Sequence, residues 1–298
     1  MMTIGEIIRI NREKQKISQE ELSYGICSAS NLSRIENGAQ IPSRATYEAL
    51  MERLGVEPEM YPSFLNNREV EAFKLKHQIM KKIVYEKYEE AEALIDKLDS
   101  GQTLERVYEQ FILHARALLL RYKGGCPNEV HAGIRKAAEL SVKDYSSENL
   151  LHHVLSTDDI NVLNSLAVSF YTIGQEDKGI ELLYALKEFI EKKIVDDGMI
   201  SPMYTRILYN LSKWIGLRGY YQEVLKLCDI GILRCIEFGA YLCFAGLLLN
   251  KGYAFVMLGQ KDIGKKYLQE SFYINRARGE FVESEIVKNF ANEHGIVL

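Results

Sequence analysis

One short segment of the 298 residues carries side chains suited to recognition chemistry: Ala29-Ser30-Asn31-Leu32-Ser33-Arg34-Ile35-Glu36. On a helix, Leu32 and Ile35 share the inner face, which turns Ala29, Ser30, Ser33 and Arg34 outward. Arg34 is the one long donor there, and a guanidinium can offer two parallel N–H groups to a planar acceptor edge. The other chemistries find no residues. No glycine run reads GxGxxG or GxxxxGK[ST], and no nucleophile motif surrounds the Ser, His and Asp residues, so no catalysis is expected. His152-His153 adjoins Asp158-Asp159, but adjacent histidines point to different helix faces, so a shared metal site is not expected. Cys27, Cys126, Cys228, Cys235 and Cys243 form no CxxC pair, which argues against zinc and against a disulfide framework. Cys228 and Cys235 lie seven apart on one predicted helix face, where core packing is expected and an intermolecular disulfide is the alternative. No cofactor is expected.

The elements around the segment are legible. Ser18 precedes Glu21 by three residues, predicting a capping box that opens a helix at Gln19-Glu20-Glu21-Leu22. Asn37-Gly38 closes the second helix, glycine supplying the left-handed stop. Ile4, Ile7 and Ile8 form the inner face of a helix before this pair. Tyr47, Leu50, Met51 and Leu54 do the same for one after it. A capped helix, a tight turn and a second helix with polar outward residues make a helix-turn-helix. Pro58 and Pro62 then bracket a break.

Beyond the break the chain repeats. Turn glycines at 174, 219 and 259 are each preceded by a small residue seven positions back (Ala167, Ser212, Gly252). Five positions on, each is followed by another small or modest residue (Gly179, Val224, Gly264), so the two helices of a hairpin can approach closely. Weaker copies cover Ile79 to Ile95 and Val107 to Leu140, and Glu280 to His294 reads as a capping helix. Low proline (5 residues) and 3.6-type apolar spacing predict an all-α fold. The composition, 47% hydrophobic with 37 Lys+Arg against 41 Asp+Glu, excludes a disordered chain and a polycationic nucleic-acid binder. The longest uncharged stretch, Ile160 to Gln175, is too short and too polar to cross a bilayer, so no membrane partner is expected. Glu6 and Arg9 interrupt any apolar leader, and the expected location is the cytoplasm.

The N-terminal residues Ser-Gln-Glu-Glu-Leu and Leu-Ser-Arg-Ile-Glu-Asn-Gly resemble the XRE-type DNA-binding domain, and the repeats resemble the tetratricopeptide repeat. The resemblance implies that the second helix of the motif enters the major groove. There Arg34 can pair with guanine O6 and N7 or contact a phosphate, Ser30 and Asn31 can reach base edges or phosphates, and Ala29 can touch a thymine methyl. Ser28 and Ser33 complete the candidate DNA set on this helix. Gln19 sits where such domains hold a phosphate at a helix start, and Arg12, Asn37 and Arg44 are carried over as further phosphate contacts. Residues 1–65 hold seven Lys+Arg and nine Asp+Glu, so strong binding is expected to need two heads on a palindromic site.

An XRE-type head joined to such an array resembles the RRNPP group of peptide-pheromone receptors, in its PlcR and Rgg branches. The span from Leu22 to Gly38 is one residue shorter than in most XRE domains, a shortening those branches share. Lys178-Gly179-Ile180-Glu181-Leu182 and Tyr209-Asn210 also sit where PlcR-like proteins carry similar residues. The resemblance implies a right-handed superhelix of about five helix pairs with a C-terminal capping helix. It divides the chain into head 1–62, linker 63–72, and a peptide-binding, dimerising array 73–298. It also implies a homodimeric transcription regulator gated by a short signalling peptide in the concave groove. Asn164 matches a position where PlcR-like proteins hold a peptide backbone, and an amide that both donates and accepts can do so whatever the peptide's sequence. Asn210 and Asn250, one repeat apart, share a phase. Tyr171, Arg206, Lys213 and Tyr253 are the neighbouring candidates; satisfied inter-helix polar groups are the competing reading for the asparagines. Val84 and Glu86 stand where PlcR-like proteins place lysines, so a different peptide charge or pose is expected. Two alternatives remain at this level: an XRE repressor whose repeats serve only dimerisation, and a protein-sequestering interaction module.

Overall fold

Four serine or threonine caps set the first four helices. In the structure, a computed structural model that describes residues 3–56, 67–100, 106–193 and 201–298, these are α1 (Ile4–Lys14), α2 (Gln19–Ser23), α3 (Ala29–Glu36) and α4 (Arg44–Arg53). Thr3, Ser18, Ser28 and Ser43 each accept a backbone N–H of the first turn. Thr3 and Glu6 form a full capping box, whereas at Ser18 only half of the expected box is made, Ser18 Oγ accepting Glu21 N–H at 3.1 Å. Ile8, Leu22, Leu32, Ile35, Tyr47, Leu50 and Met51 close into one core, as their spacing predicts. A Cβ on Gly5 would lie 1.9 Å from the Ile35 carbonyl oxygen, so α1 crosses α3 at backbone contact.

All remaining regular structure among the described residues is helical. The pairs are α5 (Asn67–Val84) with α6 (Tyr88–Asp99), and α7 (Arg106–Tyr122) with α8 (Pro127–Glu139). After the short α9 (Ser147–Leu150) come α10 (Thr157–Thr172) with α11 (Glu176–Lys193), then α12 (Ser201–Leu217) with α13 (Tyr221–Phe238). A 3-10 turn (Tyr241–Cys243) leads to α14 (Phe244–Met257) with α15 (Lys261–Ala277), and α16 (Phe281–Glu293) follows. Five pairs and a final helix agree with the expectation. Gly174, Gly219 and Gly259 take the left-handed conformation that the turns require, at φ 78°, 86° and 79°. The small residues do bring helices together: a Cβ on Gly179 would stand 2.6 Å from the Ala167 carbonyl oxygen, and one on Gly264 2.9 Å from that of Gly252. The segment 57–66, most of the break, lies outside the described residues; residues 67–72, assigned to the linker from sequence, belong to the first turns of α5.

The chain forms two compact units, residues 1–185 and 186–298, whose boundary falls within α11. The first unit contains the four-helix head together with the first repeats. Val107 and Val154 pack against the head core, and Ala45 of the head packs against the core of α5 to α7. In the second unit Val256, Leu268, Val287, Ala291 and Ile296 form a core through which α16 covers α14 and α15. Cys228 and Cys235 are fully buried on α13, consistent with packing, and burial pushes their thiols up to about 12 and about 11.

Candidate nucleic-acid interface and the repeat faces

Ser28 fixes the start of α3, its Oγ accepting the Asn31 N–H at 3.1 Å. A hydroxyl so engaged still has a proton to donate. From that start, helical geometry exposes Ser28, Ser30, Arg34 and Asn37, with Ala29, Asn31 and Ser33 half-buried beside them. The outward face predicted from the Leu32 and Ile35 spacing is thus the exposed one, and its acidic neighbour is removed from it. Glu36, 2% exposed, turns inward and takes a bidentate pair from Arg12, Nε to Oε1 at 2.6 Å and Nη2 to Oε2 at 2.8 Å. Gln19 Nε2 donates to Glu36 Oε2 at 2.6 Å, and Arg12 Nη1 to the Ile17 carbonyl at 2.9 Å. The hydrogen bonds to Glu36 raise the Arg12 pKa. Arg12 and Gln19, named as phosphate contacts, are therefore brought together on an internal carboxylate. Arg44 Nε donates to Glu48 one turn on, at 2.5 Å. Sequence reasoning missed Glu36 as the hub because its partner lies 24 positions away.

On the array, Asn164 is 6% exposed on α10, and Tyr171, two turns further along the same face, is half-buried. Two histidines, which sequence reasoning did not single out, reach the same helix: His114 Nε2 lies 2.8 Å from Ser165 Oγ and His131 Nδ1 2.9 Å from Ser169 Oγ. Burial, with help from Arg135 and Lys178, lowers the His131 pKa. Within the second unit Arg206, Asn210 and Lys213 share one face of α12, the first two half-buried and the third exposed. Asn250, 7% exposed, donates its amide to the Tyr209 carbonyl at 3.1 Å and to Ser212 Oγ at 2.9 Å, which is an inter-helix bond between α14 and α12. Tyr253 packs against Tyr221 and Phe290, at centroid distances of 6.0 and 4.9 Å. Among the described residues no cluster of His, Cys, Asp or Glu could hold a metal ion, and no helix is long and apolar enough to cross a membrane.

A family model described as a helix-turn-helix domain matches residues 3–63. No curated protein sequence matches the chain. Among solved structures, PlcR of Bacillus thuringiensis in complex with the peptide PapR7 and DNA is 17% identical, with a TM-score of 0.63 over 96% of this chain and 99% of that one. ComR from S. thermophilus in complex with DNA and its signalling peptide ComS is also 17% identical, with a TM-score of 0.55 over 99% and 100% of the two chains. Apo ComR from Streptococcus vestibularis matches at 17% identity and a TM-score of 0.55, over 99% and 98%. The chain thus carries a helix-turn-helix domain and has, over nearly its whole length, the fold of the PlcR and ComR regulators, the fold that the RRNPP resemblance implied.

Proposed function

We propose that the protein is a cytoplasmic, homodimeric transcription regulator that reads a palindromic operator with α3 and is gated by a short signalling peptide held by its repeat array. The observation that carries the DNA reading is the exposed polar face of α3 in a head matched as a helix-turn-helix: Ser30 and Arg34 stand out, and the adjacent Glu36 charge is neutralised inside. Arg34 reads a base edge, and Ser28, Asn31 and Asn37 position the head on phosphates. The peptide reading is supported by fold likeness to two regulators solved with DNA and signalling peptides. It is supported also by Asn164 and Tyr171 on one face of α10 in the first unit, and by Arg206, Asn210, Lys213 and Tyr253 in the second.

The experiment is retention of genomic fragments by the purified chain at physiological salt, with and without a peptide extract of spent culture medium. A few retained fragments whose retention changes with extract support the whole reading. Asn164→Ala is expected to abolish the response to extract while leaving DNA retention intact. The second reading, a repressor whose repeats serve only dimerisation, is favoured by one observation: the Asn250 amide already serves the contact between α12 and α14. It predicts retention indifferent to extract and to Asn164→Ala.

A further inference from the structure

The head is fastened to the array by a buried ion pair. Arg53, the last residue of α4, is 5% exposed, and its Nη1 donates to the Leu22 and Tyr24 carbonyls of the head at 3.1 and 2.5 Å. Its Nη2 reaches out of the head, to the Ser141 carbonyl at 3.2 Å and to Asp159 Oδ2 at 3.1 Å; Nε adds a contact to Oδ2 at 3.3 Å. Asp159, 1% exposed in the first turn of α10, is saturated: Oδ1 accepts from Ser141 Oγ and Gln110 Nε2, and Oδ2 from the Ser156 N–H and hydroxyl. The contact extends on either side. Glu52 accepts from the Thr157 N–H and hydroxyl at 3.0 and 2.7 Å, Lys76 pairs with Asp158, and the Lys143 ammonium lies 4.5 Å over the Tyr24 ring. A Cβ on Gly25 would sit 2.5 Å from Ser141 Cα, so the two backbones touch.

A buried pair with every hydrogen bond made has one geometry, and its directional bonds give specificity of arrangement more than stability. None of Ser28, Ser30, Arg34 and Asn37 takes part in the joint, and all four stay exposed while the head is docked. We propose that the Arg53–Asp159 joint makes the docked head the DNA-reading state and that this joint sets the tolerated spacing between two half-sites. Arg53 and Asp159 act as positioning residues. The inference rests on the reading of the chain as a DNA-binding dimer. A tethered head could swivel to meet a displaced half-site; a head locked to α10 cannot. Each added base pair turns a half-site by about 35° around the duplex axis.

The test uses the full chain and a palindrome it selects from a random DNA pool. Affinity is then measured for that palindrome, for spacers changed by one or two base pairs, and for a single half-site, with the native chain, Asp159→Asn and Arg53→Gln. The native chain is expected to lose about tenfold or more on a two-base-pair change, against about threefold or less for the two variants, with equal half-site binding by all three. Equal spacing dependence in native and variant chains overturns the inference. So does loss of half-site binding by the variants, which would make the pair a requirement for folding of the head. If the native chain selects no DNA sequence at all, the DNA-binding reading itself fails, and this inference with it.

Discussion

In the proposed function, Arg34 is the side chain on which sequence recognition turns. Replacing it with Ala is expected to cost about 1–3 kcal/mol of operator affinity and to relax preference at one base pair. Binding measured across a panel of single-base operator variants checks this; an equal loss on every sequence would make Arg34 a phosphate contact. Its outward position was legible because Leu32 and Ile35, both buried, fix the phase of an eight-residue helix. Asp158-Asp159 was legible only in part. Beside His152-His153 the pair suggests a metal site only to be set aside, and the sequence goes no further. In the fold the two carboxylates separate, one to Lys76 and the other to Arg53, partners 82 and 106 positions away. No local pattern encodes a pair that only tertiary structure brings together, and a lone acid at the start of a helix reads as an ordinary cap.

At the scale of elements, the junction of α4 with α10 places two carboxylates under opposite pressures. Burial would raise the Asp159 pKa, but the Arg53 charge and the bonds from Ser141, Ser156 and Gln110 outweigh it and hold the group below the usual carboxylate range. A carboxyl depressed in the fold stabilises above its unfolded pKa, about 3.9, and loses that contribution as the pH falls through the folded value. Glu52 is shifted the other way, burial raising its pKa despite the bonds from Thr157, so acid relieves it. Asp159→Asn is therefore expected to cost about 3–5 kcal/mol at neutral pH, and Glu52→Gln to stay within about 1 kcal/mol of the native chain. Urea unfolding at pH 7 and well below the unfolded carboxylate pKa, at about pH 3, checks both, and the penalty of Asp159→Asn should shrink only in that acid range. Matching penalties for the two variants would contradict this assignment of charges. The helix pairs themselves were readable, because turn glycines and small residues recur at matching offsets. Residues 140–156 were not: α9 and its flanks carry no helical period, and the serines that bond Asp159 lie there.

For the whole molecule, charge bounds the strength of the proposed DNA binding. Of the seven cations in residues 1–65, Arg12, Arg44 and Arg53 lie in ion pairs and Arg34 is assigned to a base edge, leaving Arg9, Lys14 and Lys16 to meet phosphates. The slope of log affinity against log salt is expected to be about −3 per half-site or shallower, at about −0.9 for each phosphate neutralised. A salt titration on a single half-site measures it, and a slope near −8 would require cations from outside the head. That the head is helix-turn-helix and the rest helical pairs was plain from the sequence. That head and first repeats form one unit was not, since the break at Pro58 and Pro62 reads as a separation. The joint also bears on how such proteins can be recombined. A head from another protein of this fold, grafted at that break and lacking a cation at the position of Arg53, would bury Asp159 as an uncompensated charge. Chimeras should therefore fold when head and array are exchanged as matched pairs, and lineages that shuffled these parts would have had to carry both residues across together.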